Sequence, residues 1–320
     1  MQHPTRRLVP RTRLQVGAAL AVGAALAVTA VGAAAGPGPR PAPVAAAAPA
    51  SAPTAREAAV EPFWAEEFSG RSGRRPDARV WTSEVGNRRQ QGWWNNELQY
   101  YTRDAANSRL DGSGHLVLQA RRAARDARLP CWPRGRCAYT SARLTTEGTV
   151  ALTHGRVDVR ARLPTGRGLL PAIWMLGDNG RTWPRQGEID VVEVVGGEPR
   201  TAYGTAHGPG YANEDGLGGT VGLGGRASTR FLLYSVVKEP RRITWLVDDE
   251  PYFTLTPQDL PAGRAWVFEQ DMHLLLNVAV GGDWPGRPGR TTRFPATMAV
   301  DHVRMYGTGV VDGVRVTSPR

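Results

Sequence analysis

Three carboxylates fall within six residues, Glu188, Asp190 and Glu193 of the stretch EIDVVE. The residues around them, Ile189, Val191, Val192, Val194 and Val195, are strong strand formers. Acids bunched in an apolar strand are costly unless they are paired or used. On a regular strand Glu188 and Asp190 share a face, while Glu193 points to the opposite one. A β-bulge at Val191–Val192 would add one residue and turn Glu193 back toward Glu188. The two Glu Cα atoms would then stand roughly 13 Å apart, at ~3.3 Å per strand residue. On a concave sheet, side chains reaching about 4 Å could bring the two carboxyls to roughly 5 Å. One of them, ionised, could attack an acetal carbon while the other, protonated, delivers a proton to the leaving oxygen. Asp190 between them would raise a neighbour's pKa by like-charge repulsion and could share a proton with it. The bland alternative is three acids on a solvated edge strand, which the apolar positions between them argue against.

Such a strand needs a sheet to hold it, and the rest of the sequence supplies strands. Arg156 to Leu163 alternates apolar and charged residues, a strand with one wet face. Similar runs lie at 116–120, 243–247, 274–280 and 298–306, separated by Gly, Pro, Asn and Asp. Helical periodicity is nearly absent. Fourteen or so short strands predict an all-β sandwich of two stacked antiparallel sheets. The Gly-rich segment 216–225 reads as a mobile loop at a cleft rim.

The chain has 320 residues, and its first 60 do not belong to that fold. Arg6, Arg7, Arg11 and Arg13 precede an Ala/Val/Leu/Gly run over 16–35, the pattern of a secretory signal over 1–35. A run of about 20 apolar residues also reaches the length of a membrane anchor. Residues 36–60 are a Pro/Ala-rich linker, which leaves a domain over 61–308 and a tail over 309–320. The formal charge of +11 includes six arginines and one acid within residues 1–59, leaving about +6 on the rest. No basic block interleaved with aromatics follows, so nucleic acid is not the expected partner. Cys131 and Cys137 flank a Pro/Gly loop in CWPRGRC. In an exported chain they most simply form one disulfide, with two free thiols as the alternative.

GEIDVVE resembles the active-site strand of glycoside hydrolase family 16, in the laminarinase-type form that carries the extra residue. The blocks WWNNELQYYT (93–102), YTSARL (139–144), LPAIWMLGDN (170–179), GTAHGPGY (204–211) and LLLNVAVGGDWPG (274–286) resemble that family's blocks in its order. The resemblance covers roughly 62–306 and implies a β-jelly-roll whose concave sheet forms an open cleft. It implies Glu188 as nucleophile, Asp190 as assisting acid and Glu193 as general acid/base of a retaining endo-β-1,3-glucanase. A neutral sugar would stack on aromatics, with Trp174, Trp183 and Trp284 as candidate platforms; ordinary core packing is the other reading of each. Asn95, Asn96, Glu97 and Arg143 could hydrogen-bond hydroxyls or serve turns and surface. His207 could sit beside the acid/base, or be a structural histidine. The family implies no cofactor for catalysis, but many members carry a structural Ca²⁺, here matched by Glu67, the Gly114 carbonyl and Asp301. Two places depart from the pattern: Val237-Lys238-Glu239-Pro240, and His273 before LLLN.

The sequence thus leads to a secreted monomer acting on β-glucan, without a stable membrane partner once its signal is cleaved. A non-catalytic glucan-binding protein on the same scaffold, and a hydrolase or transglycosylase for another polysaccharide such as mixed-linkage glucan or galactan, are the competing readings.

Overall fold

The computed structural model describes residues 60–319. Residues 1–59, with the expected leader and nearly all of the expected linker, lie outside the described residues. Among the described residues there is no α-helix, and no helix is long and apolar enough to cross a membrane. The strands are β1 (Trp64–Glu66), β2 (Thr82–Ser83), β3 (Gln99–Tyr101), β4 (Ser108–Leu110), β5 (Leu116–Arg122), β6 (Tyr139–Ser141), β7 (Arg143–Thr145), β8 (Val150–Arg162) and β9 (Leu169–Gly177). They continue with β10 (Glu188–Glu193), β11 (Thr201–His207), β12 (Leu217–Gly222), β13 (Leu232–Glu239), β14 (Arg242–Val247), β15 (Glu250–Leu255), β16 (Met272–Val280), β17 (Ala296–Val311) and β18 (Val314–Thr317).

They form the two layers of a β-jelly-roll. The concave layer runs β12–β11–β10–β9–β16–β7–β2, all antiparallel. The convex layer runs β15–β14–β13–β8–β17, with β5 and β1 on the far side of β17. Alternation decides which side chains meet between them. Val157, Val159 and Ala161 of β8, Tyr234 and Val236 of β13, and Val303 and Met305 of β17 are buried. They pack in one core with Ile173 and Met175 of β9, Ile189 of β10, and Leu274 and Leu276 of β16. The other face of the concave layer is free for polar chemistry.

Two expectations need correcting. Residues 217–222 are not a mobile loop but strand β12, paired with β11 along its length. Glycine is needed there for close packing: a Cβ on Gly219 would come within 2.7 Å of Phe253. The chain beyond residue 308 is not a tail. β17 continues to Val311 and turns at Asp312-Gly313 into β18. Both turn residues have positive φ, 49° and 79°, as a two-residue hairpin turn demands.

The departure at Lys238 is local repacking. Its side chain is buried and donates to the carbonyls of Thr153 and Gln270. Burial pushes its pKa down to about 8. It ties β8 to the loop before β16.

Candidate active site

β10 carries the acids, and its register shows how. Asp190 pairs with Thr205 and Glu193 with Tyr203, so two residues of β10, Val191 and Val192, stand opposite one on β11. Against β9 the slip lies between Asp190 and Val192. The bulge therefore falls at Val191–Val192, both buried in the core, and Glu193 joins Glu188 and Asp190 on the cleft side. From the opposite layer, the buried Trp245 donates its indole N–H to the Asp190 carbonyl at 2.8 Å. This bond satisfies a backbone acceptor beside the bulge and fixes the strand where the ladder breaks. Trp245 was not singled out from sequence. Nothing local marks a residue of another layer, 55 positions away, as a support for this strand.

His207 on β11 lies directly across from Glu188 in register. Its Nε2 is 3.1 Å from Asp190 Oδ2, an ion-pair distance without the alignment of a good hydrogen bond. Gly216 makes room for it, since a Cβ there would come within 2.3 Å of the His207 ring. Burial disfavours charge on His207, but Asp190, Glu188 and Glu193 together outweigh it and push the imidazole up to about 9. Among the described residues, it is the one cation that lowers both glutamates.

The two glutamates differ in their surroundings. Burial and then Asp190 raise Glu188 to about 8, against the pull of His207 and of the Trp183 indole, which donates to Glu188 Oε2 at 2.5 Å. Glu193 is held well above the carboxylate range by burial, Asp190 and Glu188, and only His207 opposes this. Glu188 thus has a hydrogen-bond donor stabilising its anion, and Glu193 has none. That asymmetry suits an ionised Glu188 and a protonated Glu193.

Indoles flank the row at both ends. Trp183, 42% exposed, stands at the Glu188 end. Trp284, 47% exposed, meets Tyr203 edge-on at 4.9 Å, and Tyr203 pairs with Glu193. Trp174 on β9 is opposite Asp190. Its N–H donates to Asn277 Oδ1 at 2.7 Å, and Asn277 in turn donates to the Tyr101 hydroxyl at 3.1 Å. Arg143 stacks between Trp174 and Trp93, 4.6 and 4.5 Å from their centroids, and pairs with Glu84. It braces the wall as much as it offers donors to a sugar.

Beside Glu188 the concave face opens into a groove of about 270 Å³, lined by residues including Arg143, Asp178, Arg181, Gln186 and His273. His273, the second departure, lies opposite Leu176 and bonds Asp178 at 2.5 Å. It is buried, 4% exposed, and still contributes to the groove wall.

The remaining sequence candidates are engaged elsewhere. The Asn95 carbonyl accepts from the Asp283 backbone, and Asn96 donates to the Asp283 carboxylate at 2.9 and 3.1 Å. Both tie the 91–96 segment to the loop that carries Trp284. Glu97 is buried and bonded by Gln99, and burial pushes it up to about 7. Cys131 and Cys137 form a disulfide.

The residues matched to Ca²⁺ are neighbours on the convex face: Glu67 feels the charge of Asp301, and His115, next to Gly114, lies 3.6 Å from Asp301. Arg304 donates to both Glu67 oxygens, at 2.8 and 3.2 Å. Asp301 Oδ2 accepts from Arg160 at 2.9 Å and lies 3.0 Å from His302 Nδ1. Gly114 lies in the turn before β5. In this arrangement cationic side chains match their charge, and Arg304 and Arg160 would have to turn aside for these oxygens to hold a divalent ion. Among the described residues, the one group of three or more His, Cys, Asp or Glu side chains with metal-like spacing is Glu188, Asp190 and His207. An imidazole that carries a proton is no ligand.

Residues 93–297 match the sequence profile of Glycosyl hydrolases family 16. The chain belongs to that family. It is 40% identical to a beta-glucanase of Rhodothermus marinus over 257 residues, 77% of this chain and 85% of that one. Among solved structures, the laminarinase catalytic domain of Thermotoga maritima superposes with a TM-score of 0.70 at 40% identity, covering 77% of this chain and 97% of that one. An endo-beta-1,3-glucanase of Pyrococcus furiosus gives 0.70 at 41%, covering 76% and 92%. This family 16 enzyme is a glycoside hydrolase, and the acid row on β10 is its candidate catalytic centre.

Proposed function

We propose that the chain is an exported endo-1,3-β-glucanase working by double displacement with retention. The observation that carries this is the bulged β10, with three carboxyls on one cleft face, indoles at both ends and unequal support for Glu188 and Glu193. Its likeness to the beta-glucanase and endo-beta-1,3-glucanase named above supports β-1,3-glucan as the substrate.

In the first step a Glu188 oxygen bonds to the anomeric carbon as the glycosidic C–O bond breaks. Glu193 gives its proton to the departing oxygen. In the second step Glu193, now a carboxylate, takes a proton from water. The hydroxide adds to the anomeric carbon and frees Glu188. His207 keeps its positive charge throughout and holds the row to one net negative charge when Glu193 is protonated. Trp183 holds the attacking carboxylate. Neutral glucose rings would lay their apolar faces on Trp183, Trp174 and Trp284.

Purified protein incubated with laminarin, mixed-linkage glucan, agarose and carrageenan should release reducing ends fastest from laminarin, with β-configured first products by NMR. Release from agarose or carrageenan alone would replace the substrate, and α-configured products would replace the mechanism. The leader over 1–35 supports export. Recovery of the protein from cell pellets and not from culture supernatant would count against it.

A further inference from the structure

The segment 91–96 is strained and conspicuously exposed. Gln91, Trp93, Trp94 and Asn96 all have left-handed backbone, with φ of 49°, 56°, 59° and 53°. Bulky side chains adopt that region only when surrounding structure imposes it. Here the surroundings do impose it. Asn87 donates to the carbonyls of Glu97 and Gln99, the Trp93 indole donates to the Gly86 carbonyl, and Asn96 is tied to Asp283. The result is a rigid mount whose outermost side chain, Trp94, is 75% exposed, the most exposed aromatic among the large hydrophobic residues. A second indole, Trp132, 36% exposed, borders the same segment: a Cβ on Gly92 would lie 3.3 Å from its ring. Trp132 is held in turn by its own N–H to Asn87 and by Arg88, which donates to the carbonyls of Cys131 and Gly135.

The position of the mount suggests what it meets. Glu193 is level with Ala172 and Asn277 across the sheet. From Asn277, β16 runs on to Val280 and then to Asp283, where the 91–96 segment is fastened. Trp94 therefore belongs to the rim on the Glu193 side, on the segment bonded to the loop of Trp284. A chain of sugar rings leaving the cleft past Trp284 would reach it next. We infer that Trp94, on a segment that Trp132 borders at Gly92, is an accessory platform that stacks a glucan chain beyond the cleft and serves long substrates only. The inference rests on the glucanase reading and extends it to a site that the hydrolysis itself does not use.

The test compares Trp94→Ala, Trp94→Gly and Trp94→Phe with wild type, using insoluble β-1,3-glucan pull-down and cleavage of a β-1,3-linked tetrasaccharide. Trp94→Ala and Trp94→Gly should weaken polymer binding about tenfold and leave tetrasaccharide kcat/KM within about twofold, while Trp94→Phe keeps most of the polymer binding. Glycine accepts the left-handed backbone without strain, so Trp94→Gly should also raise Tm, whereas loss of a packing residue would lower it. Wild-type polymer binding in both the Ala and Gly variants would overturn the platform. So would a dimer that Trp94→Gly dissolves without changing polymer binding, since it would make a second copy the occupant. Wild-type protein inert toward polymer and tetrasaccharide alike would overturn the glucanase reading and the platform together.

Discussion

The molecule carries two sets of acids on opposite faces, and they are treated in opposite ways. On the concave face Glu188, Asp190 and Glu193 share a single cation, His207, and the two glutamates are raised far above their ordinary range. On the convex face each acid has its own partner. The hydrogen bond from Arg304 holds Glu67 low. Burial pulls Asp301 upward, but Arg160 and His302 outweigh it and keep it low as well. The lesson is one of charge matching. Where cations equal acids, the carboxylates are inert cross-links. Where acids outnumber cations and water is scarce, protons become exchangeable at neutral pH, which is what acid–base catalysis requires.

The comparison can be broken most decisively at its reactive side. Glu188→Gln and Glu193→Gln should each lower laminarin hydrolysis on the order of 10³-fold or more, measured as reducing ends, with glucan binding retained. Full activity in either would remove that residue from the chemistry. A smaller but more diagnostic effect is expected from His207→Gln. Without the imidazolium, Glu188 ionises at higher pH. The acid limb of kcat/KM against pH should move upward, and activity at neutral pH should fall about 10- to 100-fold. An unmoved limb would show that His207 does not tune the row.

Stability should divide along the same line. Glu188 is raised from 4.5 to about 8 and His207 from 6.5 to about 9. Both contribute stability below their unfolded values and lose it as pH rises through the folded ones. Glu67 and Asp301 are lowered, so they contribute above their ordinary range and lose it on acidification. Glu188→Gln should therefore be more heat-stable than wild type, by about 3 °C or more at pH 8, with the gain vanishing toward pH 5. A gain that grows on acidification would reverse the sign and refute the charge-excess account.

The smallest effects belong to the convex face. Arg304→Ala opens a half-exposed pair, so Tm should fall by about 1–3 °C. Calcium or a chelator should move the wild-type Tm by less than about 1 °C. A clear rise with calcium would show that the arginines swing aside for an ion.

How much of this could be read from the sequence depended on range. The bulge was legible because an acid on the wrong face of a β-branched strand is a local contradiction. The disulfide was legible from two cysteines six residues apart. The hairpin at Asp312-Gly313 carried an equally local signal, which an expectation of a tail passed over. What no local pattern reveals is pairing at a distance. Trp245 supports Asp190 from the other layer, Arg304 and Arg160 take the acids matched to calcium, and Asp283 takes the amides of Asn96. In each case the partner was set by the packing of layers and loops, which no local pattern records.

The pairing of β1 with β17 has a consequence for how the chain becomes a protein. Trp64 stands against Met305, with roughly 240 residues between them. β17 also closes on β8 over most of its length. The sandwich therefore cannot finish assembling until its last long strand is available. A chain emerging from a ribosome or a translocation pore would stay open, with the apolar sides of its earlier strands uncovered, until the final segment arrives. Topology makes this enzyme a late and slow folder, and its active strand takes its final setting only when the far end of the sequence locks the layer behind it.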